Sequence, residues 1–177
     1  SKWQGDVNWT KVKSDGVDTV FFKATQGVGY TDPRVAIESK EAAALGIKIG
    51  YYHFASLNDH DEVKDAIEEA KYFVSIVKTL PKASMPLVLD IEENKSGLSK
   101  EEVLAWIKAF FMELQTLGYN DFVLYSYTPF LNANLPANHG LGGIKLWLAA
   151  YTNSPKAPNG WIGHWLWQYS SKGEING

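Results

Sequence analysis

The sequence predicts an α/β protein, a modified TIM-like β/α barrel whose last third is irregular and ends in antiparallel strands. Short runs rich in β-branched and aromatic residues alternate with longer stretches of helical period as far as Pro129. That alternation is the pattern of βα units around a parallel sheet. Most runs are closed by a capping residue, a glycine or a proline. Beyond Pro129 the repetition weakens into loops bearing Gly, Asn and Pro, with two short β-rich runs among them. An open doubly wound sheet is the competing architecture, but the chain has no Gly-rich dinucleotide fingerprint.

Taken in order, residues 17–23 (VDTVFFK) read as a buried strand. Asp32-Pro33 supplies an N-cap and an N1 proline, and Gly46 follows residues 42–45 (AAAL) as a stop, so a helix lies between them. Residues 47–54 (IKIGYYHF) return as strand. Asn58 or Asp59 caps a long helix whose apolar face is Val63, Ala66, Ile67, Ala70, Phe73, Val74 and Val77, ended by Pro81. Residues 86–92 (PLVLDIE) form the third strand. Ser99 with Glu102 makes a capping box for a helix with the stripe Val103, Trp106, Ile107, Phe110, Leu114 and Leu117, stopped by Gly118. Strands follow at 122–126, 145–149 and, Trp-rich, at 161–169. No repeat, low-complexity tract or linker interrupts the series, so a single domain over 1–177 is expected.

Composition removes several classes of function. Apolar residues make up 45% and charged residues 21%, which argues against disorder and against a membrane partner. A formal net charge of −3 with scattered Lys and Arg lacks the basic patch that grips nucleic acid. The absence of cysteine rules out disulfides, thiolate metal sites and a cysteine nucleophile. The four histidines, His53, His60, His139 and His164, have no metal-binding spacing, so no metal and no cofactor is expected. No charged start with an apolar stretch and cleavage site is visible, so a signal peptide is expected to be absent or already removed.

Side chains alternate along a strand, so Val88, Asp90 and Glu92 share one face and two carboxylates point the same way. Their Cα atoms lie about 6.6 Å apart, and the carboxyl ends of barrel strands are where active sites are built. One carboxylate beside another resists the second ionisation, which raises a pKa and lets one group act as general acid. The plain alternative is that Asp90, Glu92 and Glu93 merely open a solvated loop. The other strand ends weigh against it, because Lys23, Tyr52, His53, Tyr125 and Trp147 together suit a polar, aromatic-walled sugar site. His53 reads as a hydrogen-bonded structural histidine, and Trp106, Phe110 and Phe111 as core at helical spacing. Trp161, Trp165 and Trp167 share one strand face, which suits core and cleft equally.

Several fragments in order resemble the glycoside hydrolase family 25 lysozymes, the Chalaropsis-type muramidases. They are Trp3-Gln4-Gly5 with Val7-Asn8-Trp9; Gly16-Val17-Asp18 leading to Phe22-Lys23-Ala24-Thr25; Tyr30 with Asp32-Pro33; and Gly50-Tyr51-Tyr52-His53-Phe54-Ala55. Leu87 to Glu92, Leu146-Trp147-Leu148-Ala149 with Tyr151, and Trp165 with Trp167-Gln168-Tyr169 complete the series. The resemblance implies hydrolysis of β-1,4 bonds between N-acetylmuramic acid and N-acetylglucosamine in peptidoglycan, with retention. It implies Glu92 as general acid and base and Asp90 assisting, with a carboxylate or the substrate's N-acetyl oxygen as nucleophile. Tyr52, Tyr125, Trp147, Tyr151 and Gln168 match substrate-binding positions. A monomer is expected, secreted, wall-associated or released at phage lysis.

Two departures stand out. Gln26 replaces a Glu of the family pattern. The family's opening Asp-Val-Ser strand is represented only by Ser1, and a further family Asp lies beyond the end, so the domain is expected to lack its first strand and extreme C-terminal end. A chitinase-like hydrolase would want Asp at position 88, where this chain has Val88. A catalytically impaired peptidoglycan-binding module of the same fold is the other alternative.

Overall fold

The computed structural model describes residues 5–58 and 61–177. The Trp3-Gln4 part of the opening motif, Ser1, and Asp59 and His60 lie outside the described residues. The element order is α1 (Trp9–Ser14), β1 (Thr19–Gln26), β2 (Tyr30–Thr31), α2 (Val35–Ala44), β3 (Lys48–Phe54), α3 (Glu62–Val77) and β4 (Leu87–Asp90). Then come α4 (Lys100–Thr116), β5 (Phe122–Ser126), α5 (Thr128–Asn134), β6 (Lys145–Ala149) and β7 (Leu166–Gln168). One seven-stranded sheet runs in the order β2-β1-β3-β4-β5-β6-β7.

The sheet is strongly curled. Three strands separate β1 from β6, which in a flat sheet would hold them about 19 Å apart at about 4.8 Å per step. Yet the rings of Phe21 on β1 and Trp147 on β6 are 4.8 Å apart, centroid to centroid. Gly50 makes room for that approach, since a Cβ there would collide with the Phe21 ring. The concave face carries Phe21, Tyr52, Val88, Tyr125 and Trp147. The convex face, with Phe22, Tyr51, Leu89, Ile91, Leu124 and Leu146, buries itself against the helices and supplies one continuous apolar core.

Most expected elements are present. Gly46 at φ +72 ends α2, with Ile47 N–H donating to Ala42 O at 3.1 Å. Asp32 still receives the Arg34 N–H at 3.0 Å, although the helix proper begins at Val35. The capping box at Ser99 and Glu102 is formed in full. Asp61 caps α3 in place of Asn58, whose side chain instead bonds Asp65.

The last third differs from expectation in direction. β5, β6 and β7 all pair in parallel, and the antiparallel pair lies at the other edge, between β1 and β2. The connection from β6 to β7 is long enough to cross over and re-enter in the same sense. The final strand is also shorter than residues 161–169. Gly160 at φ +84 and the Pro158 turn break it, leaving Trp161 buried on a loop with its indole N–H on Ile144 O at 3.0 Å. Trp161, Trp165 and Trp167 therefore do not form one strand face: only Trp167 lies in β7, with its indole N–H on Ala150 O.

Candidate active site

Six residues from five elements converge at the carboxyl ends of the strands. Tyr52, Asp90, Glu92, Tyr125, Trp147 and Gln168 line one pocket of about 190 Å³, with Val88 in its lining as well. The register explains the convergence: Tyr52 pairs with Val88, Asp90 with Tyr125, Tyr125 with Trp147, and Ala149 with Gln168. Positions that share a face on neighbouring strands stack into one wall of the curled sheet. β4 ends at Asp90, but the chain keeps its course, with Ile91 N–H donating to Tyr125 O at 3.1 Å and Tyr127 Oη donating to Glu92 O at 3.2 Å. Glu92 thus stays on the Asp90 side.

The two carboxyls share a hydrogen bond. Asp90 is 7% exposed, and its Oδ1 is buried with no partner among the described residues. Burial first, then the Glu92 charge and that hydrogen bond, push the Asp90 carboxyl well above the usual range, with Lys23 opposing. Burial also raises Glu92, and the Glu93 charge adds to this while the hydrogen bond with Asp90 offsets part of it. Each carboxyl thus resists ionisation while the other is charged, which favours retention of one proton by the pair.

Aromatic and amide groups complete the wall. Burial and the nearby carboxylates push the phenols of Tyr52 and Tyr125 up, so both stay neutral donors. Tyr125 Oη donates to Gln168 Oε1 at 2.6 Å, and its ring meets Trp147 edge-on at 5.1 Å. Gln26, the departure from the family pattern, accepts from Lys23 Nζ at 2.6 Å. Lys23 also lies over the Phe54 ring at 4.7 Å.

Tyr151 is set apart from this pocket. It is 61% exposed and lines an adjoining cleft of about 780 Å³ that meets the inner pocket at Glu92. Thr152, Ser154 and Lys156 on the rim of that cleft carry no sequence signal, being polar residues of an irregular loop. His53 lies on the opposite sheet face, buried, with Nδ1 on Thr25 Oγ1 at 2.7 Å and Nε2 on Glu69 Oε2 at 2.6 Å. Burial lowers its pKa against the pull of Glu69. Trp106 is core, its indole N–H donating to Asp65 at 2.8 Å. Among the described residues no group of three or more His, Cys, Asp or Glu could hold a metal ion.

The model of the family described as "Glycosyl hydrolases family 25" matches residues 1–177. The chain belongs to glycosyl hydrolase family 25. Within this family it is similar to Lysozyme M1 of Streptomyces globisporus, 32% identical over all of this chain and 62% of that protein. It is also similar to an autolytic lysozyme of Clostridium acetobutylicum, 31% identical over 98% of this chain and 50% of that one. The chain thus spans between half and two thirds of the length of these family 25 relatives. Among solved structures, a bacterial lysozyme from Streptomyces coelicolor superposes with a TM-score of 0.89 at 31% identity, covering all of this chain and 84% of that one. The curled, mainly parallel sheet is accordingly the fold of family 25 enzymes, and the β/α expectation from sequence holds apart from the direction of its last strands.

Proposed function

We propose that residues 1–177 form one catalytic domain of a lysozyme that hydrolyses β-1,4 bonds between N-acetylmuramic acid and N-acetylglucosamine in peptidoglycan, with retention. The observation that carries this reading is the hydrogen-bonded Asp90–Glu92 pair at the base of an aromatic-walled pocket. The names of the relatives, both lysozymes, point the same way.

Inverting enzymes keep their carboxyls roughly 6.5–9.5 Å apart to seat a water between them, and a hydrogen-bonded pair leaves no such room. Asp90, buried and with its carboxyl raised well above the usual range, is poorly suited to act as an anionic nucleophile. That favours the substrate's N-acetyl oxygen as the attacking group. Asp90 Oδ1, buried and unpartnered, then receives the acetamide N–H. This bond stabilises the Asp90 anion and moves the shared proton onto Glu92. Glu92 delivers it to the glycosidic oxygen as the bond to C1 breaks and the acetamide oxygen closes on C1. Water then opens the cyclic intermediate from the same face the leaving group occupied, giving its proton back to Glu92. Tyr52, Tyr125, Trp147 and Gln168 hold the sugar, and Tyr151 extends the groove. The enzyme acts as a monomer on walls outside the cell.

The test is loss of turbidity from purified cell walls with release of reducing ends, and proton NMR of the first-formed anomer. Clearing with a β-anomer as first product supports the reading. No clearing, or an α-anomer first, overturns it.

A further inference from the structure

The inner pocket, at about 190 Å³, falls below the roughly 300–1,000 Å³ of clefts that bury ligands of drug size, while the outer cleft, at about 780 Å³, lies within that range. The two share Glu92 in their lining, so a substituent of a sugar in the inner pocket is within reach of the outer cleft. Tyr127, Pro129, Ala149 and Tyr151 make its walls largely apolar. Its ionic lining consists of Glu92 at the inner end and Lys156 at the rim.

Among the described residues lining that cleft, Lys156 is the one cation. No carboxylate among the described residues lies within 4.0 Å of it, so its charge has no partner among them. Its backbone is nevertheless fixed. Thr128 Oγ1 donates to Lys156 O at 2.6 Å, and Asn159 N–H donates to Asn132 Oδ1 at 2.9 Å, tying the loop to α5 at two points. A cation with an anchored backbone and no internal counter-charge, at the edge of an apolar wall, complements a carboxylate on a partly apolar arm. Of the two sugars in the proposed substrate, N-acetylglucosamine is neutral. N-acetylmuramic acid carries a 3-O-lactyl group, whose carboxyl is either free or joined to a peptide that bears carboxylates of its own.

We infer that the outer cleft receives the lactyl arm of muramic acid and that Lys156 pairs with the carboxylate it carries. This rests on the muramidase reading and names the part of the substrate that sets its specificity. Lys156 acts on binding and not on the bond-breaking step.

Three glycan substrates test the inference: strands bearing stem peptides, strands stripped of peptide so that the lactyl carboxylate is free, and strands whose carboxylates are capped as amides. K156A should raise KM about threefold to fivefold on carboxylate-bearing strands, with kcat changed less than about twofold, as fits loss of one exposed ion pair. K156R should restore KM, and the wild-type advantage should vanish on the amidated strands. An effect confined to peptide-bearing strands places the carboxylate in the peptide, and an effect on stripped strands as well places it on the lactyl group. Unchanged KM on both, or an equal rise on amidated strands, overturns the inference. If the unaltered chain hydrolyses none of the strands, the muramidase reading fails separately. Affinity for peptide-bearing strands, measured by calorimetry, then decides: dependence on both Lys156 and the carboxylates sustains the cleft assignment, and its absence sinks it.

Discussion

Asp90 and Glu92 divide the chemistry because their surroundings differ while their residue types barely do. Glu92 is half-buried at the junction of pocket and cleft, whereas Asp90 is buried with one oxygen unpartnered. Glu92→Gln keeps the shape and loses the transferable proton, so kcat should fall by about a thousandfold or more with near-normal thermal stability. Activity within tenfold of wild type would refute the assignment. Asp90→Asn should lower kcat by about a hundredfold, because an amide no longer gathers the acetamide N–H as an anion. Steady-state rates on soluble glycan strands measure both. The pairing of these two was legible from strand alternation alone. The unpartnered Oδ1 was not, since it depends on what the neighbouring strands leave vacant around Asp90.

At the scale of elements, α4 shows what sequence reads well. Its capping box, apolar stripe and terminating Gly118 are all local, and the helix runs from Lys100 to Thr116 as those signals require. Ser99→Ala should lower unfolding free energy by about 1 kcal/mol by chemical denaturation, with turnover unchanged, since the cap is remote from the cleft. A loss below about 0.3 kcal/mol would mean that the box contributes nothing to α4. The two helices missed in the sequence, α1 and α5, have only six and seven residues, too few for a helical period to register. Their caps were visible in principle: Asn8 receives the Lys11 N–H, and Pro129 sits in the first turn of α5. The direction of β7 was illegible because it follows from a long irregular crossover whose course no local pattern specifies.

For the molecule as a whole, buried acids and a buried histidine set the pH dependence of stability. Asp65 is pushed up to about 6, chiefly by burial. A carboxyl raised above its unfolded value binds its proton more tightly when folded, so its stabilising share is lost as pH rises from about 4 through 6. His53 is lowered by burial, so the unfolded chain takes up its proton first and stability is lost as pH falls below about 6.5. Asp90 and Glu92, also raised, add slopes of the Asp65 sign, so three carboxyls oppose one histidine and Tm should decline as pH rises from about 4. Calorimetry from pH 4 to 8 checks this: Asp65→Asn and Asp90→Asn should each flatten the decline. Parallel curves for all three proteins would contradict the account.

The curl that brings Phe21 under Trp147 also gives the molecule a built-in optical gauge. Trp147 is clamped between a phenylalanine across the barrel and the edge of Tyr125, and its indole lines the pocket where sugar binds. A bound ring displaces water from that indole without displacing the indole itself, so occupancy should register as a shift in its emission. The difference between wild-type and Trp147→Phe spectra, taken in the Glu92→Gln background where substrate persists, isolates that one signal from the other tryptophans.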